Sequence, residues 1–219
     1  MRTLGAAGLA VVLCLMGVAP SAQGSTLLGG RSAGMANVPT ADTGPAGQTT
    51  LGVVAEAGGG ARAYLRYGVT DDLELGVAVG NPDVFGEGPA WPVGILARYR
   101  LLKEHGNVPA LAAGIEGTSG YIVASHRLPG PLLRAHVGVR SFAGGLRVFT
   151  GVNATLNPVT VRRPGAIPEP IVTVGVDYDG LTLSTGATLQ FSPWFAVDLG
   201  VRDKGALQFV AGASISPGF

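Results

Sequence analysis

From about Thr49 to Phe219 the chain alternates apolar and small or polar residues. In the run LELGVAV, Leu73, Leu75, Val77 and Val79 fall on one side, and Glu74, Gly76 and Ala78 on the other. The last run, ALQFVAGASISPGF, puts Leu207, Phe209, Ala211, Ala213 and Ile215 against Gln208, Val210, Gly212 and Ser214. A period of two is the signature of a strand; a helix of this composition would scatter its apolar side chains around its circumference. The large apolar groups share one face, and Gly, Ser, Thr and charges share the other. A soluble sandwich hides the first face and wets the second. Here the small polar face reads as enclosed and the apolar face as outward, the pattern of a transmembrane β-barrel.

Twelve such runs are readable, separated by turn chemistry such as GGGA, TDD, KEHGN, PGP, DG and RDKG. The expected fold is all-β, a single antiparallel transmembrane barrel of about twelve strands, or ten if the soft fifth and sixth runs form one broken pair. Asp179-Gly180 predicts a tight type I′ hairpin. NPVTVRRPGAIPEP, residues 157–170, holds four prolines and is expected to be a connection, since proline removes a ladder donor. An even count returns both ends to one side, the periplasmic one. Residues 25–48 keep no period and read as a flexible Gly/Pro/Ala-rich lead-in, either periplasmic or tucked into the barrel mouth. The barrel is assigned to residues 49–219.

Upstream, Arg2 precedes the apolar stretch Leu4–Val18, and APSAQG follows. This reads as a secretory signal peptide over residues 1–24, too short for a convincing membrane helix. Its loss removes Arg2 and leaves 14 basic against 14 acidic residues. Cys14, the single cysteine, lies within it, so the secreted chain is expected to have no disulfide and no thiol chemistry. Charged residues are 13% of the chain, about half the usual soluble share, and Gly contributes 36 of 219. No basic stripe asks for nucleic acid.

The candidate lumen charges are mixed in sign: Arg66, Glu74, Arg98, Glu116, Arg134, Arg147, Asp177 and Asp198, with Glu56, Arg140 and Arg202 beside them. In a dry interior they must pair; otherwise water reaches them. Mixed sign argues against a single-ion filter. Tyr67, Tyr99, Tyr178, Trp91, Trp194 and Phe191 stand near expected strand ends, as interfacial aromatics do. The loop from Asn81 to Trp91 offers Phe85 and Trp91 for contact with a glycan or partner. His126 beside Ser125, with Asp177 or Asp198, is the nearest thing to a Ser-His-Asp trio. No HExxH, GxSxG, phosphate-loop or dinucleotide motif is present, and no catalytic, cofactor-binding or metal residue is assigned.

NVPTADTGPAGQTTLGV, YLRYGVTDDLELGV, YRLLKEHGNVPALAAGIEG, FAGGLRVFTGV, GVDYDGLTLSTGATLQFSPWFAVDLGV and the terminal Phe219 together resemble the YjbH-type small outer-membrane barrels. The resemblance implies antiparallel strands, a PTA element at Pro39, Thr40 and Ala41 before the first strand, and Phe219 as the signal read by the barrel-assembly machinery. Larger members are linked to exopolysaccharide production or export; only the barrel carries over. The functional expectation is an outer-membrane barrel with a structural or envelope-assembly role, with a narrow channel or an exopolysaccharide-related role left open. Its partners would be outer-membrane lipid, the assembly machinery and a polysaccharide or envelope component. The alternative is a soluble secreted β-sandwich binding protein.

Overall fold

The computed structural model describes residues 38–57, 60–80, 93–129, 132–142, 145–157, 169–203 and 205–217. Its first six strands are β1 (Thr49–Glu56), β2 (Ala61–Gly68), β3 (Leu73–Gly80), β4 (Val93–Leu102), β5 (Ala110–Glu116) and β6 (Ser119–Arg127). The others are β7 (Leu133–Phe142), β8 (Gly145–Thr155), β9 (Ile171–Tyr178), β10 (Leu183–Ser192), β11 (Phe195–Asp203) and β12 (Leu207–Ile215). Each pairs antiparallel with its sequence neighbours, and β12 returns to β1 to close the sheet. The seam runs from Leu51 opposite Ile215 to Glu56 opposite Val210, and Thr50 Oγ1 lies 2.8 Å from Ser216 Oγ just beyond it. The fold is therefore a single closed barrel of twelve strands. Ten strands and two packed sheets are both set aside: β5 and β6 are a regular hairpin across Gly117, whose φ of 61° suits the tight turn.

The period of two sorts the side chains as expected. Leu65, Leu75, Val77, Ile95, Val137, Val148, Leu199 and Phe209 are outward and exposed, Ile95 at 62% and Phe209 at 70%. Apolar side chains this exposed on a closed sheet form an outer belt, and among the described residues no second sheet covers it. Tyr67, Tyr99 and Tyr178 are exposed in it. Phe191, Phe195 and Trp194 cluster at the β10–β11 turn, with ring centroids about 6 Å apart.

The interior differs from a purely small and polar lining. Val54, Tyr64, Ala78, Leu96 and Val210 form one buried apolar cluster; Ala110, Ala112, Tyr121, Val123 and Phe149 belong to a second. Three rings fit because glycine faces them across a strand pair. Gly52 opposes Tyr64, Gly114 opposes Tyr121, and Gly138 opposes Phe149. A Cβ on Gly52 would lie 2.2 Å from the Tyr64 ring, and one on Gly138 would lie 2.3 Å from the Phe149 ring. The far end of each ring lies over a glycine, in the manner of the aromatic rescue of strand glycines.

The Asp179-Gly180 hairpin is present but shifted by one residue: the Asp179 N–H donates to the Thr182 carbonyl at 3.2 Å, which puts Gly180 and Leu181 at the tip. Tyr178 pairs with Leu183, leaving four residues between them. Asp179 Oδ1 accepts the N–H groups of Leu181 and Thr182 at 2.9 and 2.8 Å, which holds the turn. Residues 157 and 170 close the base of the proline-rich connection: Asn157 Oδ1 accepts the Val172 N–H at 2.6 Å, and its amide donates to the Pro170 carbonyl. These described ends of the connection lie at the end of the barrel where β1 begins and β12 ends, called here the terminal mouth.

Candidate functional site

The most built-up polar region is the terminal mouth, where residues 38–44 lie buried or half-buried inside the barrel and Pro45, Ala46 and Gly47 are exposed. Val38, Thr40 and Ala41 are buried, and Val38 and Ala41 join the second apolar cluster. The segment is tied to the wall mainly through its backbone. The Ala41 N–H donates to Ser125 Oγ at 2.8 Å, Gly44 N–H to Glu74 Oε2 at 3.1 Å and Ala46 N–H to Asp71 Oδ1 at 3.0 Å. Thr43 Oγ1 donates to the Asp71 carbonyl, and Gly47 N–H to that of Gly68. Gly68 has to be glycine here, because a Cβ would lie 2.1 Å from the Pro45 carbonyl oxygen.

Asp42 is gripped from two strands. Arg134 Nη2 on β7 donates to its Oδ1 at 2.8 Å, and Arg98 Nη1 on β4 donates to its carbonyl at 2.6 Å. Both arginines are also held by the barrel. Arg98 Nε donates to Tyr121 Oη at 3.0 Å, and Arg134 Nη1 to Glu104 Oε2 at 2.6 Å. Glu104, just past the end of β4, also accepts the Arg127 N–H at 2.6 Å. Burial alone would raise the Glu104 carboxyl; the Arg127 N–H and the Arg134 guanidinium outweigh it and hold the group below its ordinary value.

Deeper in, opposite charges pair. Arg66 Nη1 is 3.1 Å from Glu74 Oε1, Arg140 is bonded to Glu116, and Arg202 Nη1 is 3.5 Å from Glu56 Oε1. Thr188 Oγ1 donates to Asp198 Oδ1 at 2.8 Å. Arg66 and Arg140 also stand over the rings of Tyr64 and Tyr121, about 6 Å from the centroids. Strand register lays Glu74, Arg98, Gly114, Tyr121, Arg140 and Arg147 in one row across β3 to β8.

Each proposed lumen residue has a definite place. Arg66, Glu74, Arg98, Asp177 and Asp198 are between 1% and 5% exposed. Glu116, Arg134 and Arg147 are half-buried on the same inward register. The structure joins Arg66 to Glu74, but gives Glu116 to Arg140 and Arg134 to Asp42 and Glu104. Phe85, Trp91 and Phe219 lie outside the described residues.

Ser125 takes His136 rather than His126. Its Oγ is 2.8 Å from His136 Nδ1, and His136 Nε2 is 3.0 Å from Asn153 Nδ2. His126, one residue along from Ser125, is turned toward Glu104 instead, at 3.1 Å. Asp177 is brought level with His136 through Gly151. All three members of the Ser125–His136–Asn153 line are buried. With the Ala41 N–H on its hydroxyl, Ser125 serves as a dock for the segment. Among the described residues, no three His, Cys, Asp or Glu side chains gather into a metal-binding group.

No protein-family model and no curated protein matches this chain. Among solved structures, a KdgM porin aligns at 11% identity over 77% of this chain and 98% of its own, with a TM-score of 0.48. A KdgM porin in complex with disordered oligogalacturonate aligns at 10% over 78% and 99%, again at 0.48. The N-terminal β-barrel domain of Pseudomonas aeruginosa OprF aligns at 13% over 79% and 98%, at 0.25. These are similarities of low identity and carry no argument about function.

Proposed function

We propose that this chain is a bacterial outer-membrane β-barrel with a structural or envelope-assembly role, shut at rest by its own N-terminal segment. The observation that carries this reading is the burial of the inward charges. Arg66, Glu74 and Arg98 are no more than 5% exposed, and a water-filled lumen would leave such wall side chains wet. The outward belt supports the membrane, because an exposed apolar surface of that extent is stable only against lipid or another apolar face. Closure supports it again, since an unpaired edge is not tolerated in hydrocarbon.

In this reading residues 1–24 direct secretion, the start of β1 and the end of β12 both face the periplasm, and Phe219 is the feature handed to the assembly machinery. The YjbH-type motifs carry a finer reading, a polysaccharide or other envelope component as partner. Single-channel recording of the purified secreted chain in a planar bilayer tests the closed state. Silence from correctly folded protein is expected. Steady, salt-dependent conductance would overturn the closed state in favour of a channel, and Arg98→Ala with Arg134→Ala would then alter its ion preference.

A further inference from the structure

The inward segment carries one acid, Asp42, between Val38 and Gln48. That residue meets two guanidinium groups rooted on β4 and β7, with β5 and β6 between them: its carboxylate takes Arg134 and its main-chain carbonyl takes Arg98. Each guanidinium is oriented in advance by a barrel group, Arg98 by the Tyr121 hydroxyl and Arg134 by Glu104. The receptor half of the contact thus belongs to the rigid wall, while the acid belongs to a segment tied by single backbone hydrogen bonds to Ser125, Glu74 and Asp71. Charge-assisted bonds to a pre-oriented pair are the strong kind, and little ordering is left to oppose them.

We propose that Arg98 and Arg134 form a binding site for a small carboxylate-bearing solute, which Asp42 fills in cis with its carboxylate on Arg134 and its main-chain carbonyl on Arg98. Solute and segment compete for the pair, so solute binding withdraws residues 38–46 from the terminal mouth. This inference rests on the closed-at-rest reading and gives that closure a ligand. A solute that binds only the withdrawn state has its apparent affinity reduced by the rarity of that state. Removing the internal competitor therefore tightens binding.

Succinate is the probe, titrated by calorimetry into folded full-length secreted protein, with heat-modifiable migration as the folding check. Asp42→Ala is expected to bind succinate about tenfold or more tightly than the native chain. Butane-1,4-diol, which lacks carboxylates, should not bind, and adding Arg134→Gln to Asp42→Ala should return the loss. A second readout follows the segment itself. Ser125 lies buried against Ala41, so maleimide labelling of Ser125→Cys should accelerate about tenfold at saturating succinate. A folded Asp42→Ala protein that binds succinate no better than the native chain overturns the site, and labelling indifferent to succinate overturns the withdrawal. Conductance by the native chain without any carboxylate solute would instead overturn only the closed state, leaving the affinity comparison to judge the site.

Discussion

At Gly52 one hydrogen atom decides whether Tyr64 can lie against the wall. The nearest atoms to an added Cβ are all in the Tyr64 ring, at 2.2 to 2.6 Å, whereas at Gly138 a backbone oxygen, that of Ile122, also stands at 2.3 Å. Gly52→Ala should therefore lower stability by about 1–3 kcal/mol, the usual range for overpacking. The same change in a Tyr64→Leu background should cost clearly less, and no such relief is expected for Gly138→Ala beside Phe149→Leu. Urea midpoints in lipid vesicles measure the coupling; additive effects at Gly52 and Tyr64 would sink the seat-and-ring account. The inward glycines are legible from alternation alone. Their ring partners are not, because finding them needs the register across each turn, and turn positions such as that at Asp179–Thr182 are misjudged from dipeptides. The Ser125–His136 pairing is hidden for a related reason. Sequence adjacency favours His126, yet neighbours on a strand point to opposite faces, so the histidine that shares the side of Ser125 is His136, its cross-strand partner.

The strands and turns make two further expectations. On β3, Val77 is mid-strand and outward, while Leu207 opens β12 near a rim. Arginine at Val77 should cost about 2–4 kcal/mol in a bilayer and at Leu207 about 0–1, because the cost of a lipid-facing charge falls toward the interface. Equal effects at the two positions, read from vesicle unfolding, would mean that the belt does not face lipid. The turns give a pH dependence. Arg100 hydrogen-bonds Asp72 at 2.7 Å and holds its carboxyl below the ordinary value, with Lys103 adding to the effect. Glu104 is likewise lowered on balance. A depressed folded value stabilises above the unfolded one, about 3.9 for Asp and 4.3 for Glu, and that stability is lost as pH falls through the folded value. Unfolding midpoints should thus drop on acidification below about pH 4. The pH dependence should be shallower in a Asp72→Asn, Glu104→Gln protein, and an unchanged slope would remove these turns from the account. Twelve strands are legible because each repeats one simple alternation between turn signals. The segment 38–48 is legible only as a choice between the periplasm and the barrel mouth, because a stretch with no period does not say which side chains face a wall.

For the molecule as a whole, closure is the property most open to challenge. Deleting Phe219 should lower outer-membrane levels of the heat-modifiable form while leaving secretion intact; normal levels would speak against a terminal assembly signal. The position of the inward segment also has a consequence in time. The hydrogen bonds described for residues 41–47 reach β2, the β2–β3 turn, β3, β4, β6 and β7. All of these precede residue 143 in the chain. A polypeptide delivered N-terminus first can thus gather its first seven strands around this segment while the last ones are still arriving. The segment then acts as a mandrel for the early sheet, and the β1–β12 seam is left as the final edge to be joined.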